Sequence, residues 1–175
     1  RKTPPNQLNM PPMPPVQVTR GDTPGDPVKH GAYLASIMHC AHCHTPIGPQ
    51  GPDATKAFAG GMEFPMPQLG TGSVFAANIT SDPATGIGAW SAADIAKAIS
   101  TMVRPDGKPI TGPMMFYAPL WSQLTPDDAA ALAAFVKQLP PIANKVPAST
   151  FKPHARPPPG GPPPGDGKAP APPPA

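Results

Sequence analysis

"IMHCAHCHTP", residues 37–46, contains the chain's two cysteines, Cys40 and Cys43, and three of its five histidines, His39, His42 and His44. Thiols and imidazoles at this density point to a metal or a redox group, and their spacing narrows the choice. Residues three apart on a helical turn share one face, so Cys40 and Cys43 present both sulfurs to the same object. His44 follows at once on the same turn.

Cys40-Ala41-His42-Cys43-His44 reads C-x-x-C-H, the covalent c-type haem attachment pattern. Two thiols one turn apart match the two vinyl groups along one porphyrin edge, and the next residue brings an imidazole to the iron. Cys40 and Cys43 are therefore the expected thioether positions and His44 the expected proximal ligand. Zinc fits less well, because structural zinc sites pair two separated ligand clusters and His30 and His154 show no such spacing. A redox dithiol of thioredoxin type needs a βαβ context that is not evident. A plain structural disulfide is the remaining alternative. His39 and His42 are expected to be bystanders, facing solvent or supporting the ligand from behind.

Outward from this motif, the 175 residues divide by proline content. Of 33 prolines, eight fall in residues 1–27 and eleven in 151–175. Such runs favour extended polyproline II and resist helices and central strands. The expected organisation is a proline-rich N-terminal extension (1–27), one domain (28–150) and a proline-rich C-terminal tail (151–175), both ends solvated. The formal net charge is +3, yet residues 28–150 hold seven Lys/Arg and seven Asp/Glu. A nucleic-acid reading wants a basic patch, so it is set aside. No run of about 20 apolar residues occurs, so nothing in the chain spans a membrane as a helix. The sequence opens at Arg1 with neither a methionine nor an apolar leader. A processed or shortened start is expected, which leaves room for a removed signal or anchor.

Within 28–150 the helix signals are local. Asp26-Pro27 is a cap followed by proline at the first position, predicting a helix from Val28 to about His39. Ser91 with Asp94 three residues on opens a second, with Ile95, Ala98, Ile99 and Met102 on one face and Pro105 as its stop. Thr125-Pro126-Asp127-Asp128 opens the last, striped by Leu132, Phe135, Val136 and Leu139 and ended by Pro140-Pro141. Residues 45–90 read as loops rich in turn chemistry. Loops of that length are uncommon unless they wrap something. The fold class expected is all-α: three to four helices and long loops, with a core too thin unless a large apolar group completes it.

An iron that only carries electrons wants a sixth ligand. Met10 and Met13 lie in the tail, Met38 is too close to the tethers, and Met102 reads as packing. Met62 and Met66 are possible. Met114 and Met115, in the proline-bounded "TGPMMFYAP" loop, are the preferred distal candidates, with no choice between them.

At this point the chain resembles the class I c-type cytochromes, above all the monohaem domains in cytochrome subunits of bacterial membrane-associated alcohol, aldehyde and sugar-acid dehydrogenases. The resemblance rests on "GAYLASIMHCAHCHTP" (31–46), "FAGGMEFPMPQLGTGSVFAANITSDPATGIGAWSAADIAKAI" (58–99) and the run from Arg104 to Pro147, with its R-P-D-G, methionine loop and L-P-P ending. It implies a cytochrome c fold whose first and last helices cross, bringing Tyr33 and Leu34 to Leu132, Phe135 and Val136. It also implies His44 as proximal ligand and a methionine of the "GPMM" loop as distal ligand. The family's methionine is usually followed by proline; here Met114-Met115-Phe116 stands instead. The family's subunits often carry three haem domains, and this chain has one motif.

The function expected is that of a monohaem electron carrier, not an enzyme, with one covalent haem c. It would work in the periplasm or on the outer face of the cytoplasmic membrane, as a subunit of a dehydrogenase or respiratory complex. Its partners would be a dehydrogenase subunit and a downstream acceptor, with membrane association only through partners or a removed anchor. A free soluble shuttle, or a haem sensor or enzyme with an open distal site, are the alternatives. The tails are expected to tether the domain to its partner.

Overall fold

Asp26 is a working cap: its carboxylate accepts from the Lys29 amide at 3.1 Å, and Pro27 stands at the first position of helix α1, Pro27–Ile37. The computed structural model describes residues 25–154. Most of both proline-rich ends, residues 1–24 and 155–175, lies outside the described residues. Helix α1 stops two residues before His39. The Met38 amide closes on the Leu34 carbonyl, and His39 adopts a left-handed conformation at φ 55°. The chain then re-enters a single helical stretch, α2, Cys40–His44.

Helix α3, Ala92–Thr101, begins with the complete reciprocal box between Ser91 and Asp94. It ends earlier than Pro105. Met102 takes φ 55°, buries its side chain, and sends the chain into a tight reversal in which the Ile110 amide returns to the Met102 carbonyl. A 3₁₀ stretch, Gly112–Tyr117, leads into the short helix α4, Ala118–Trp121. Thr125 and Asp128 cap helix α5, Pro126–Gln138. Leu139 turns extended ahead of Pro140, as the residue before a proline prefers.

The described residues thus hold five α-helices, against the three to four expected. The additional ones are single-turn pieces, too short to show a helical period. They also hold strands, which an all-α reading omitted. These form three antiparallel pairs: β1 (Ile47–Gly48) with β2 (Gly51–Pro52), β3 (Glu63–Pro65) with β5 (Ser73–Phe75), and β4 (Gly70–Thr71) with β6 (Lys152–Pro153). Two or three residues carry no legible alternation.

Helices α1 and α5 cross at Gly31. A side-chain carbon there would sit on the Ala131 carbonyl and 2.8 Å from Phe135 Cβ. The missing side chain lets Leu34 and Ala35 pack on Leu132, with Tyr33 and Phe135 alongside. Val136 falls elsewhere, in a second cluster with Ile95, Ala133 and Leu139. Phe135 joins the two clusters and meets Phe58 edge to face at 5.8 Å.

After α5 the chain does not leave the domain. Residues 140–154 return as a strap across the long loop: the Thr150 amide donates to Ser73, Lys152–Pro153 pair with Gly70–Thr71, and the His154 amide donates to Leu69. The described chain therefore keeps its pairing with the domain past residue 150.

Gly31→Ala should destabilise the protein by at least about 1–3 kcal/mol, the usual cost of overpacking, read as a fall in urea midpoint. A second test concerns Asp128, which accepts from His30 Nε2 at 2.7 Å and from Thr125 Oγ1 at 2.8 Å. The His30 bond, then the Thr125 bond, hold its carboxyl below the ordinary carboxylate value. A depressed folded-state pKa contributes stability above that ordinary value and loses it as pH falls. Asp128→Asn should lower the urea midpoint at pH 7, and the gap to the parent should close toward pH 3.

Candidate functional site

The kink at His39 decides what the motif presents. Cys40 and Cys43 lie one turn apart on α2, half-buried and not joined to each other, while His39 and His42 face solvent. His44, at the last position of α2, is buried. Its Nδ1 donates to the Ala77 carbonyl at 2.8 Å across 33 residues of sequence. That bond fixes the tautomer, with the proton on Nδ1 and the lone pair on Nε2. The described residues give Nε2 no partner, and no buried side-chain nitrogen or oxygen among them is left unpaired. Nε2 therefore keeps an accessible face. Burial also holds the imidazole neutral, pulling its pKa down.

Burial pushes the Cys40 thiol up to about 11 and raises Cys43 as well. No cluster of three or more His, Cys, Asp or Glu placed to hold a metal ion occurs among the described residues. Two unpaired thiols on one turn, beside an imidazole with only Nε2 open, form the donor set that covalent haem attachment requires.

The long loop grips His44 from two sides. The Gly60 amide donates to the His44 carbonyl at 2.6 Å. Gly60, at φ 73°, lies so close to Ala77 that a side-chain carbon would overlap that peptide. Beside Ala77, Asn78 is buried with all four hydrogen-bonding positions used. Its Oδ1 accepts from the Thr80 amide at 3.0 Å and Thr80 Oγ1 at 2.7 Å; its Nδ2 donates to Thr85 Oγ1 at 3.1 Å and the Ile142 carbonyl at 2.8 Å. Asn144 completes the set, with its amide on Thr85 Oγ1 at 2.9 Å and its Nδ2 on the Ala59 carbonyl at 2.8 Å. Asn78 and Asn144 escaped the sequence reading. The "ANIT" stretch was the available signal, but its partners are distant in the chain.

The methionines separate by burial. Met66 and Met102 are core residues. Met114 is half-buried and Met115 is 54 % exposed. Met115 begins an uncovered apolar run with Phe116 (63 %), Tyr117 and Leu120. Trp121 beneath is buried, stacked on Tyr117 at 5.5 Å. An apolar surface of this kind in one loop calls for a cover.

A sequence model of the family described as cytochrome c matches residues 28–140. Over 123 residues the chain is 36 % identical to the alcohol dehydrogenase (quinone) cytochrome c subunit of Gluconobacter oxydans (strain 621H), covering 69 % of this chain and 23 % of that protein. It is 36 % identical over 118 residues to the gluconate 2-dehydrogenase cytochrome c subunit of Pantoea cypripedii, covering 67 % and 24 %. A diheme cytochrome c-type protein of Cereibacter sphaeroides is 36 % identical over 116 residues, covering 65 % and 36 %. The chain thus spans about a quarter of the length of the dehydrogenase subunits it matches. With the family's model covering well over half of its length, the chain belongs to the cytochrome c family.

Proposed function

We propose that this chain is a single-haem electron carrier, tethered through thioethers at Cys40 and Cys43 and ligated by His44 Nε2 on one side and a methionine of the Gly112–Tyr117 stretch on the other. The observation that carries the reading is His44 itself: an imidazole next to two unpaired thiols, its Nδ1 committed to Ala77, its Nε2 open. Membership of the family implies covalent haem c, and C-x-x-C-H occurs once in the sequence. Of the two distal candidates, Met115 is favoured, because its side chain has the less protein packing.

When bound, haem supplies a one-electron ferrous–ferric couple. The chain's residues set its level. A thioether opposite the imidazole favours the reduced state, and Met115, Phe116, Tyr117 and Leu120 would exclude water from that side. If His44 and a methionine of this stretch both hold the haem, the chain would pass electrons and the substrate chemistry would belong to a partner.

The names of its relatives, cytochrome subunits of alcohol, gluconate and fructose dehydrogenases, support a dehydrogenase as that partner; a location outside the cytoplasm and a second protein that accepts the electron belong to the proposal. No helix of the described residues is long and apolar enough to cross a membrane; membrane association through a partner subunit is part of the proposal. We read the proline-rich ends, bounded at about residues 27 and 151, as tethers that raise the effective concentration of the domain at its partner.

Three experiments test this. Intact mass under denaturing conditions should equal the polypeptide plus one haem, with no titratable thiol; a bare chain with two thiols would refute the attachment. His44→Ala should abolish the parent's low-spin reduced spectrum. Met115→Leu should remove the methionine–iron charge-transfer band and lower the midpoint potential, at a packing cost below about 1.5 kcal/mol, while Met114→Leu keeps both. The reverse pattern would assign Met114, and loss of the band in neither would move the ligand out of this loop.

A further inference from the structure

The strap that follows α5 reaches the back of His44. Leu139 ends the helix in an extended conformation, and five residues later Asn144 stands against the loop that grips the histidine. The path is short and made of hydrogen bonds. Asn144 Nδ2 holds the Ala59 carbonyl at 2.8 Å, on the residue before Gly60, whose amide holds the His44 carbonyl at 2.6 Å. The Asn144 amide and Asn78 Nδ2 share Thr85 Oγ1, and Asn78 is the residue after Ala77, whose carbonyl receives the His44 Nδ1 proton. The Ile142 carbonyl takes the second Asn78 proton at 2.8 Å. Ala59 and Thr80 are fully buried and Asn78 nearly so, so water cannot substitute for a lost partner without rearrangement.

We propose that Asn144 is a positioning residue for the proximal ligand: its side chain, through Ala59 and Gly60, fixes the His44 backbone and the Gly60 contact against Ala77, and its backbone amide, through Thr85 and Asn78, steadies the Ala77 carbonyl that binds His44 Nδ1, so the strap after the last helix tunes the redox potential. The inference rests on His44 being the iron ligand. An Nδ1–H bond to a carbonyl pushes electron density onto the ring and makes Nε2 a stronger donor. A stronger donor favours the ferric state. Releasing the clamp lets the Ala77 carbonyl drift, weakens the donor and favours the ferrous state, so the potential rises. A purely structural strap would lower stability and leave the potential where it was.

The test uses the full haem-loaded chain, with midpoint potential by spectroelectrochemical titration, urea midpoint, and solvent exchange of the His44 Nδ1 proton by NMR. Asn144→Leu removes the side-chain donor at nearly constant volume. It should lower the ferric-to-ferrous ratio at the parent's midpoint about tenfold, the low end of such supporting effects, or ~59 mV for a one-electron couple, and speed Nδ1 proton exchange. Thr150→Ala is the control. It loosens the same strap at its far end, where Thr150 Oγ1 accepts from the Ser73 amide at 3.2 Å, and should lower the urea midpoint without moving the potential. If Asn144→Leu does not fold, Thr85→Val, which removes the oxygen shared by Asn78 and Asn144, should give the same upward shift. A folded Asn144→Leu or Thr85→Val at the parent's potential would overturn the proposal, as would a Thr150→Ala shift of equal size. The parent's spectrum surviving in His44→Ala would instead remove the ligation reading, and the proposal with it. An unmoved potential in Asn144→Leu, when His44→Ala has lost that spectrum, removes the clamp alone.

Discussion

The hydrogen bond from His44 Nδ1 to the Ala77 carbonyl is the constraint around which the rest of the domain is arranged. It joins the end of the cysteine turn to a loop 33 residues further on, and fixes both the tautomer and the plane of the one imidazole that is buried in the motif. For that carbonyl to be in place, the loop from Phe58 to Thr85 must be held without the long ladders that usually satisfy a backbone. It is held by side chains instead. Asn78, Thr80, Thr85 and Asn144 take up the peptide groups that short strands leave over. Gly60 permits the close approach to Ala77 that any larger residue would block.

The helical frame serves the same end. Gly31 lets α1 sit on α5, and α1 delivers α2 after the left-handed turn at His39. The two apolar clusters so formed are small, with seven buried residues between them. Meanwhile Met115, Phe116, Tyr117 and Leu120 stand uncovered on the neighbouring loop. A core divided in this way is completed by whatever binds to it, and binding to the folded state alone adds its free energy to folding. Cofactor attachment and stability are then one problem, which explains how a domain with 14 prolines between residues 28 and 150 can keep such long loops.

What the sequence disclosed was what is local. Asp26, Ser91 and Thr125 act within three residues of themselves, so their caps were readable. The motif was readable because both cysteines and the histidine fall on one turn. The helix ends at His39 and Met102 were not, because each takes a positive φ with no glycine to announce it. The strap was missed for a different reason. Residues 140–150 are expected in the domain without any pairing, and the solvated tail is expected to begin at residue 151; Ser149 and Thr150 supply the hydrogen bonds that proline cannot, and Pro153 sits in a two-residue edge strand where a missing amide is tolerated. The role of Asn144 lay beyond any local reading, since the carbonyl it holds is 85 residues earlier.

These features share a physical logic. A carrier changes the charge at one site by a single unit and makes or breaks no bond, so the protein's contribution lies in burial, ligand strength and the dipoles fixed round the ligand. Fixed dipoles act best when they need not turn as the charge changes. The proximal side is built that way. A satisfied network of amides, hydroxyls and carbonyls surrounds His44, and each member restrains the next. The segment bearing Met114 and Met115 differs: Met115 is exposed, Gly112 lies against Val74, and Tyr117 stacks on the buried Trp121. Hydrogen bonds are concentrated behind His44, and uncovered apolar surface round Met115. On the ligation proposed above, substitutions behind His44 would change how strongly it donates, whereas substitutions round Met115 would change whether the distal bond forms at all.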